Sequence, residues 1–239
     1  MITTVLSETR THRRVLTHYA PDEECRAHRH SEAQISLLLA GSYVEDGTNG
    51  LHAVAGSSLS CKPGGFEHQN RFGDHGALIL SVHDKTRMAA IAGYSVSALE
   101  TRLAGMRLLD RAVAGEPLGV VGTSRQGGAR EAEPTQPALR DARRRLLGEP
   151  DLSVAHLARS VGVHPVHLAR LFRNAFGQPP ARIRREVRAA RVIDRIVRSK
   201  ASLAEIAFAE GFSDQAHMTR AVGQVSGWSP GGLRWLLAT

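Results

Sequence analysis

The chain has 239 residues, 42% of them hydrophobic and 23% charged, with 31 Lys and Arg against 23 Asp and Glu. That is enough apolar material for packed cores, it excludes a compositionally disordered protein, and the length fits two domains of ordinary size. The longest uncharged apolar stretches, around Gly76–Val82 and Met88–Leu99, are shorter than the roughly 20 residues of a membrane-spanning helix. Met1–Arg14 has neither the apolar centre nor the small-residue cleavage site of a secretory signal. A cytoplasmic protein is expected, with no membrane partner. Cys25 and Cys61 are too few for a disulfide framework and read as small, reduced, buried or half-buried side chains.

The charge is unevenly placed. Met1–Pro134 holds 14 Lys and Arg against 15 Asp and Glu, a net of −1, while Thr135–Thr239 holds 17 against 8, a net of +9. The whole basic excess lies in the C-terminal part, as expected of a chain with one polyanion-binding module, for which nucleic acid and a membrane surface are the rival targets.

Up to about residue 83 the pattern predicts short strands. Ile35–Leu39, Leu51–Val54, Ser58–Cys61 and Ala77–Val82 are separated by turn signals such as Glu45-Asp46-Gly47 and Asn49-Gly50, which points to a small β-barrel or sandwich. Over 84–114 the spacing becomes helical, with Leu99, Leu103, Met106, Leu109 and Val113 on one stripe. That stripe packs either on the barrel or on the same helix of a second chain, which would make a homodimer. Residues 115–134, rich in Gly, Pro and polar residues, read as a linker. The remainder, 135–239, reads as helical, giving an α+β chain with an all-α C-terminal domain.

One pattern occurs twice in that domain, about 50 residues apart. LARSVGVHPVHLARLFRNAFGQPPARIRR and IAFAEGFSDQAHMTRAVGQVSGWSPGGLRW each begin with an aliphatic residue and Ala (Leu157-Ala158, Ile206-Ala207), followed by Gly162 or Gly211. Each continues through Arg170 or Arg220 to Gly-x-x-Pro, with Arg184 or Arg234 four residues beyond the proline. The small Ala lets a second helix cross closely and the Gly takes the positive φ of a tight turn, so each copy predicts a helix-turn-helix. Pro165 fits the first turn of one outward helix and Ser213 the N-cap of the other. Leu168, Leu171 and Phe172, and Met218, Ala221 and Val222, are predicted to face inward. The outward candidates for DNA contact are Val166, His167, Ala169, Arg170 and Arg173 in the first helix, and Asp214, Gln215, His217, Thr219 and Arg220 in the second. Arg170 and Arg220 have the fork that pairs with guanine, and Gln215 suits adenine. Between the copies, Pro180–Ser199 has helical spacing and an Arg stripe at Arg184, Arg188, Arg191, Arg195 and Arg198, for which phosphate contact and a solvated face both stand as readings. About 20 residues of helix span about 30 Å, close to one DNA turn.

This constellation, especially AEGFSDQAHMTRAV with GWSP, resembles the DNA-binding domain of the AraC family of transcription regulators, in which a long helix joins two helix-turn-helix units. The resemblance covers Thr135–Thr239. It implies double-stranded DNA as partner, and RNA polymerase as well if the protein is an activator. Met218 and Val222 stand where the family usually has phenylalanine, and Gly223 where a basic helix former is common, so a less rigid second unit is expected.

His28-x-His30, Gln34, Gly41 and then Pro63-x-Gly65-x-x-His68 form a second constellation. Two histidines one residue apart on a strand share a face, and a third from a distant strand can complete a facial metal site. This spacing resembles the two motifs of cupins, small β-barrels that also serve as sensor domains in AraC-type regulators. Gln34 stands where cupins usually carry Glu, and Asn70 lies near the end of the second motif. Three readings follow: a pocket for an organic effector, a divalent metal held by His28, His30, His68 and Gln34 with Cys25 or Cys61 as an added soft ligand, and a metal-dependent enzyme fused to a DNA-binding module. The expectation is a ligand-responsive regulator that is not an enzyme.

Overall fold

A computed structural model describes residues 1–48, 50–86, 91, 93–99, 101–114, 116, 137–149 and 151–238. The expected linker 115–134 therefore lies outside the described residues, apart from Glu116. The described residues form eight strands followed by eight helices: β1 (Ile2–Glu8), β2 (His12–Tyr19), β3 (Glu24–Arg29), β4 (Ala33–Gly47), β5 (Gly50–Ala55), β6 (Ser58–Lys62), β7 (Glu67–Asp84), β8 (Ser95–Ala98), α1 (Arg102–Val113), α2 (Pro137–Gly148), α3 (Val154–Ser160), α4 (Pro165–Phe176), α5 (Pro180–Arg198), α6 (Leu203–Ala209), α7 (Gln215–Ser226) and α8 (Pro230–Leu237). The chain is α+β, with the strands N-terminal and the helices C-terminal.

All strands join one antiparallel sheet in the order β1-β2-β7-β4-β6-β8, with β3 added to β7 and β5 to β4. Long β4 and β7 pair from Ala33↔Asp84 to Gly47↔His68, and register shifts between Leu38 and Ala40 and between Gly41 and Tyr43 bend the pair. Such bulges raise local twist, which lets the sheet curl round a cavity.

Three expectations are corrected here. Glu45-Asp46-Gly47 is strand and not turn, because Glu45 is fully buried and ion-paired to Lys62 on β6; the turn comes afterwards, between Gly47 and Gly50. The sheet does not end near residue 83: β8 pairs with β6 through Cys61↔Ser95. The helix of the 84–114 region begins only at Arg102, capped by the Thr101 hydroxyl, and Leu99 precedes it. Part of its stripe packs on the sheet, with Leu109 fully buried in the main core and Met106 beside it, while Leu103, expected on the same stripe, is exposed.

Alternation gives the central strands two distinct sides. On β2 and β7, Val15, Thr17, Tyr19, Ile79, Ser81 and His83 line the cavity, while Leu16, Leu78, Leu80 and Val82 belong to the main core. That core is continuous with Ala189, Val192, Ile193 and Ile196 of α5 and with Met218 and Val222 of α7. Polar ties cross the same junction. His18 Nε2 lies 3.4 Å from Asp194 Oδ1, the Thr4 hydroxyl donates to the Leu236 carbonyl, and His75 Nε2 donates to the Leu147 carbonyl at 3.0 Å. A second core, with Leu157, Leu168, Phe172 and Ile183, holds α2 to α4 against the start of α5.

Candidate functional site

The two repeats fold alike. After α3, Val163 N–H donates to Ala158 O at 3.0 Å and Gly162 takes φ +70°; after α6, Phe212 N–H donates to Ala207 O at 2.9 Å and Gly211 takes φ +68°. The six-residue backbone bond and the left-handed glycine are the Schellman ending of a helix, and both units use it to turn the chain into the outward helix. Pro165 opens α4 behind the cap His164. The cap of α7 is Asp214, not Ser213: its carboxylate accepts the His217 N–H at 2.6 Å, and Ser213 Oγ instead meets His217 Nδ1 at 3.1 Å.

Leu168, Phe172, Met218 and Val222 are fully buried, and Leu171 and Ala221 half-buried, so both inward faces are as expected. The structure places Val166, His167, Arg170 and Arg173 exposed on α4, with Ala169 half-buried. It places Asp214, Gln215, His217 and Arg220 exposed at α7, with Thr219 half-buried. Arg170 and Arg220 are each the sixth residue of their helix. In α7, Gly223 lies mid-helix, and the nearest atom to an added Cβ would be Trp228 O at 3.8 Å, an ordinary contact. Gly223→Ala is therefore expected to stabilise the protein by about 0.5–1 kcal/mol; a urea titration showing no gain would contradict this.

The Arg stripe of α5 divides by role. Arg188 donates to Glu210 O at 2.9 Å and Gly211 O at 2.7 Å and stacks over Phe212, while Arg191 and Arg195 each reach the buried Glu210 carboxylate at 2.9 Å. These three pin the turn of the second unit to α5. Arg234 likewise donates to Ile196 O and Ala201 O. Nearer the start of α5, Arg184, Arg185 and Arg188 face His217 and Arg220 across a groove of about 330 Å³, a convergence not read from the sequence.

His28 of β3 and His30, just past its end, meet His68 of β7, with candidate ligand atoms all within 4.8 Å of one another. His28 Nδ1–H donates to Arg26 O at 2.8 Å and His68 Nδ1–H to Phe66 O at 3.3 Å, which turns both Nε2 lone pairs outward. Burial lowers the pKa of His68 to about 3 and of His30 to about 4, with added repulsion from Lys62 on His68 and from His28 on His30. His83, unanticipated, lies beside His30 and is lowered to about 4 by burial and by Arg13. Gln34 spends its amide N–H on Ser81 Oγ at 3.3 Å, and Cys25 lines the cavity while Cys61 does not.

Ligand number and tautomers would suit a divalent metal, but the charge does not. Lys62 Nζ donates to His68 Nε2 at 3.4 Å, occupying the lone pair a metal would take at about 2.1 Å. The ammonium is held there by Glu45 Oε2 at 2.6 Å, both partners being buried, and Asn70 donates to the same carboxylate. Gln34 adds no negative charge, so a metal here would rest on three neutral imidazoles and would have to displace Lys62 from His68.

Residues 157–235 match the family model of a helix-turn-helix domain. Over 78 residues the chain is 40% identical to the HTH-type transcriptional regulator GlxA of Rhizobium meliloti (strain 1021), covering 33% of this chain and 24% of that one; the chain thus spans about a quarter of that relative's length. A Chromobacterium violaceum regulator with an AraC-type DNA-binding domain is 27% identical over 44% of this chain and 95% of its own, with TM-score 0.39. A cupin domain from Bordetella pertussis is 20% identical over 36% of this chain and 93% of its own, with TM-score 0.31. Residues 157–235 thus carry a helix-turn-helix domain. No helix among the described residues is long and apolar enough to cross a membrane.

Proposed function

We propose that the protein is a cytoplasmic, DNA-binding transcription regulator whose cupin-like N-terminal sheet binds a small effector. The observation that carries this reading is the duplicated helix-turn-helix with Arg170 and Arg220 exposed at matching positions. Helices α4 and α7 enter successive major grooves, with Arg170, Arg173 and Gln215 as base readers; Arg220, expected from the sequence to pair with guanine, is assigned to phosphate instead because it borders one groove with Arg184 and Arg185. Asp214 serves the reading helix as its cap.

The effector acts through the sheet. One side of β2, β4 and β7 lines the cavity and the other packs on α5, so a ligand that favours one sheet curvature shifts the helix joining the two DNA-binding units. The relative with 40% identity over 78 residues is a transcriptional regulator, which supports the DNA-binding half of this reading.

Titration of the full chain onto double-stranded DNA between 50 and 200 mM salt tests the reading. Log affinity is expected to fall linearly with log salt, by about 0.9 for each phosphate neutralised. Binding indifferent to salt would overturn it.

A further inference from the structure

The cavity under the curled sheet has a volume of about 490 Å³, within the range of sites for small organic molecules. Its lining includes Arg13, Arg26 and Lys62 and no Asp or Glu among the described residues. Among the described residues Arg13 ion-pairs with the Glu32 carboxylate, at 3.9 Å, and its Nε has no hydrogen-bond partner there. Lys62 uses two of its three N–H groups on Glu45 and His68. The cavity is therefore rich in cationic donors with unspent capacity. Beside them stands an acceptor: the Nε2 of His28, because its Nδ1–H is committed to Arg26 O. Val5, Val15, Tyr19, Phe72 and Ile79 give the wall an apolar part, set among polar side chains such as Thr17, Gln34, Ser36 and Ser81.

Resting on the effector-binding reading above, we infer that the cavity takes a small hydroxycarboxylic acid with an apolar body, and not a metal ion. The carboxylate accepts from Arg13 and Lys62, the ligand hydroxyl donates to His28, and the body lies against Val15, Phe72 and Ile79. Each half of the polar head answers a different protein group. An acid without the hydroxyl leaves His28 unmatched, and a neutral amide leaves the guanidinium and ammonium unmatched.

The test is calorimetric titration of the full chain with mandelate, salicylate, 4-hydroxybenzoate and lactate, alongside phenylacetate, mandelamide, zinc and manganese, with DNA affinity followed in parallel. At least one hydroxy acid is expected to bind, its matched desoxy acid and amide to bind about 10-fold or more weakly, and Arg13→Gln to weaken it about 10- to 100-fold. The thermal transition of ligand-free Arg13→Gln shows whether that variant is folded; His28→Phe, which removes the acceptor, is expected to erase the preference for mandelate over phenylacetate. Amide binding as tight as acid binding, or stoichiometric metal, overturns this inference while leaving the effector reading intact. No binding by any probe, with DNA binding retained, overturns the inference and leaves the effector reading, which names no chemical class, in place.

Discussion

Lys62→Met is expected to destabilise the protein by about 3–5 kcal/mol, the usual cost of removing one partner of a buried ion pair. Glu45 is fully inaccessible, its Oε2 accepts from Lys62 and Asn70, and its Oε1 has no partner. Without the ammonium, the carboxylate keeps only neutral neighbours, the Asn70 amide and the Tyr94 hydroxyl, in a site closed to water. Lys62→Met with Glu45→Gln should recover most of the loss, because no charge is then stranded. Chemical denaturation of the single and double variants decides the matter. A double variant no better than Lys62→Met would mean that the packing of the lysine stem, and not the pairing, is what the fold needs.

Arg170→Ala is expected to lose about 1–3 kcal/mol of binding at a specific site and to relax preference at one base position. Arg170 is exposed near the start of α4, with one guanidinium nitrogen 3.1 Å from His167 Nδ1, so its neighbour in the preceding turn steadies it without covering it. Arg220 provides the contrast. Its guanidinium borders the groove with Arg184 and Arg185, and Arg220→Ala should weaken binding evenly across sequences while lowering the salt slope by about 1. Competition against a randomised DNA pool reads both outcomes. Unchanged affinity and unchanged preference in Arg170→Ala would remove that residue from the reading set.

The C-terminal helices were legible because their determinants are local. Cap, apolar period, glycine ending and Gly-x-x-Pro all fall within one turn or two of each other, and they recur. Only the cap of α7 was misplaced by one residue, since Ser213 and Asp214 are both good caps and geometry chose the carboxylate. The sheet was harder to read. Strands β1 and β2, ITTVLSE and HRRVLTHY, carry polar residues on the cavity-facing side, so their alternation does not stand out. The Glu45 turn signal was overridden by Lys62, a partner on another strand. His28, His30 and His68 were found together because two share a short motif and the third belongs to a known pattern. Lys62 and His83, which set the chemistry beside them, are single residues far apart in the chain, and no spacing rule announces them. A weak signal existed for His83: it ends the alternating series Ile79, Ser81, His83.

The two-sidedness of the central strands also bears on how such a protein can change over generations. Substitutions at Val15, Ser81 or His83 alter what the hollow accepts, yet Leu16, Leu80 and Val82, which lean on the helices, keep their chemistry. Under the proposed function, a descendant can thus answer a new molecule while still addressing the same stretch of genome. Inserting one residue into β7 has the opposite outcome, because it exchanges the two sides along the rest of the strand and destroys recognition and support together. Tolerance to point changes and intolerance to small insertions are therefore expected side by side in the same strand.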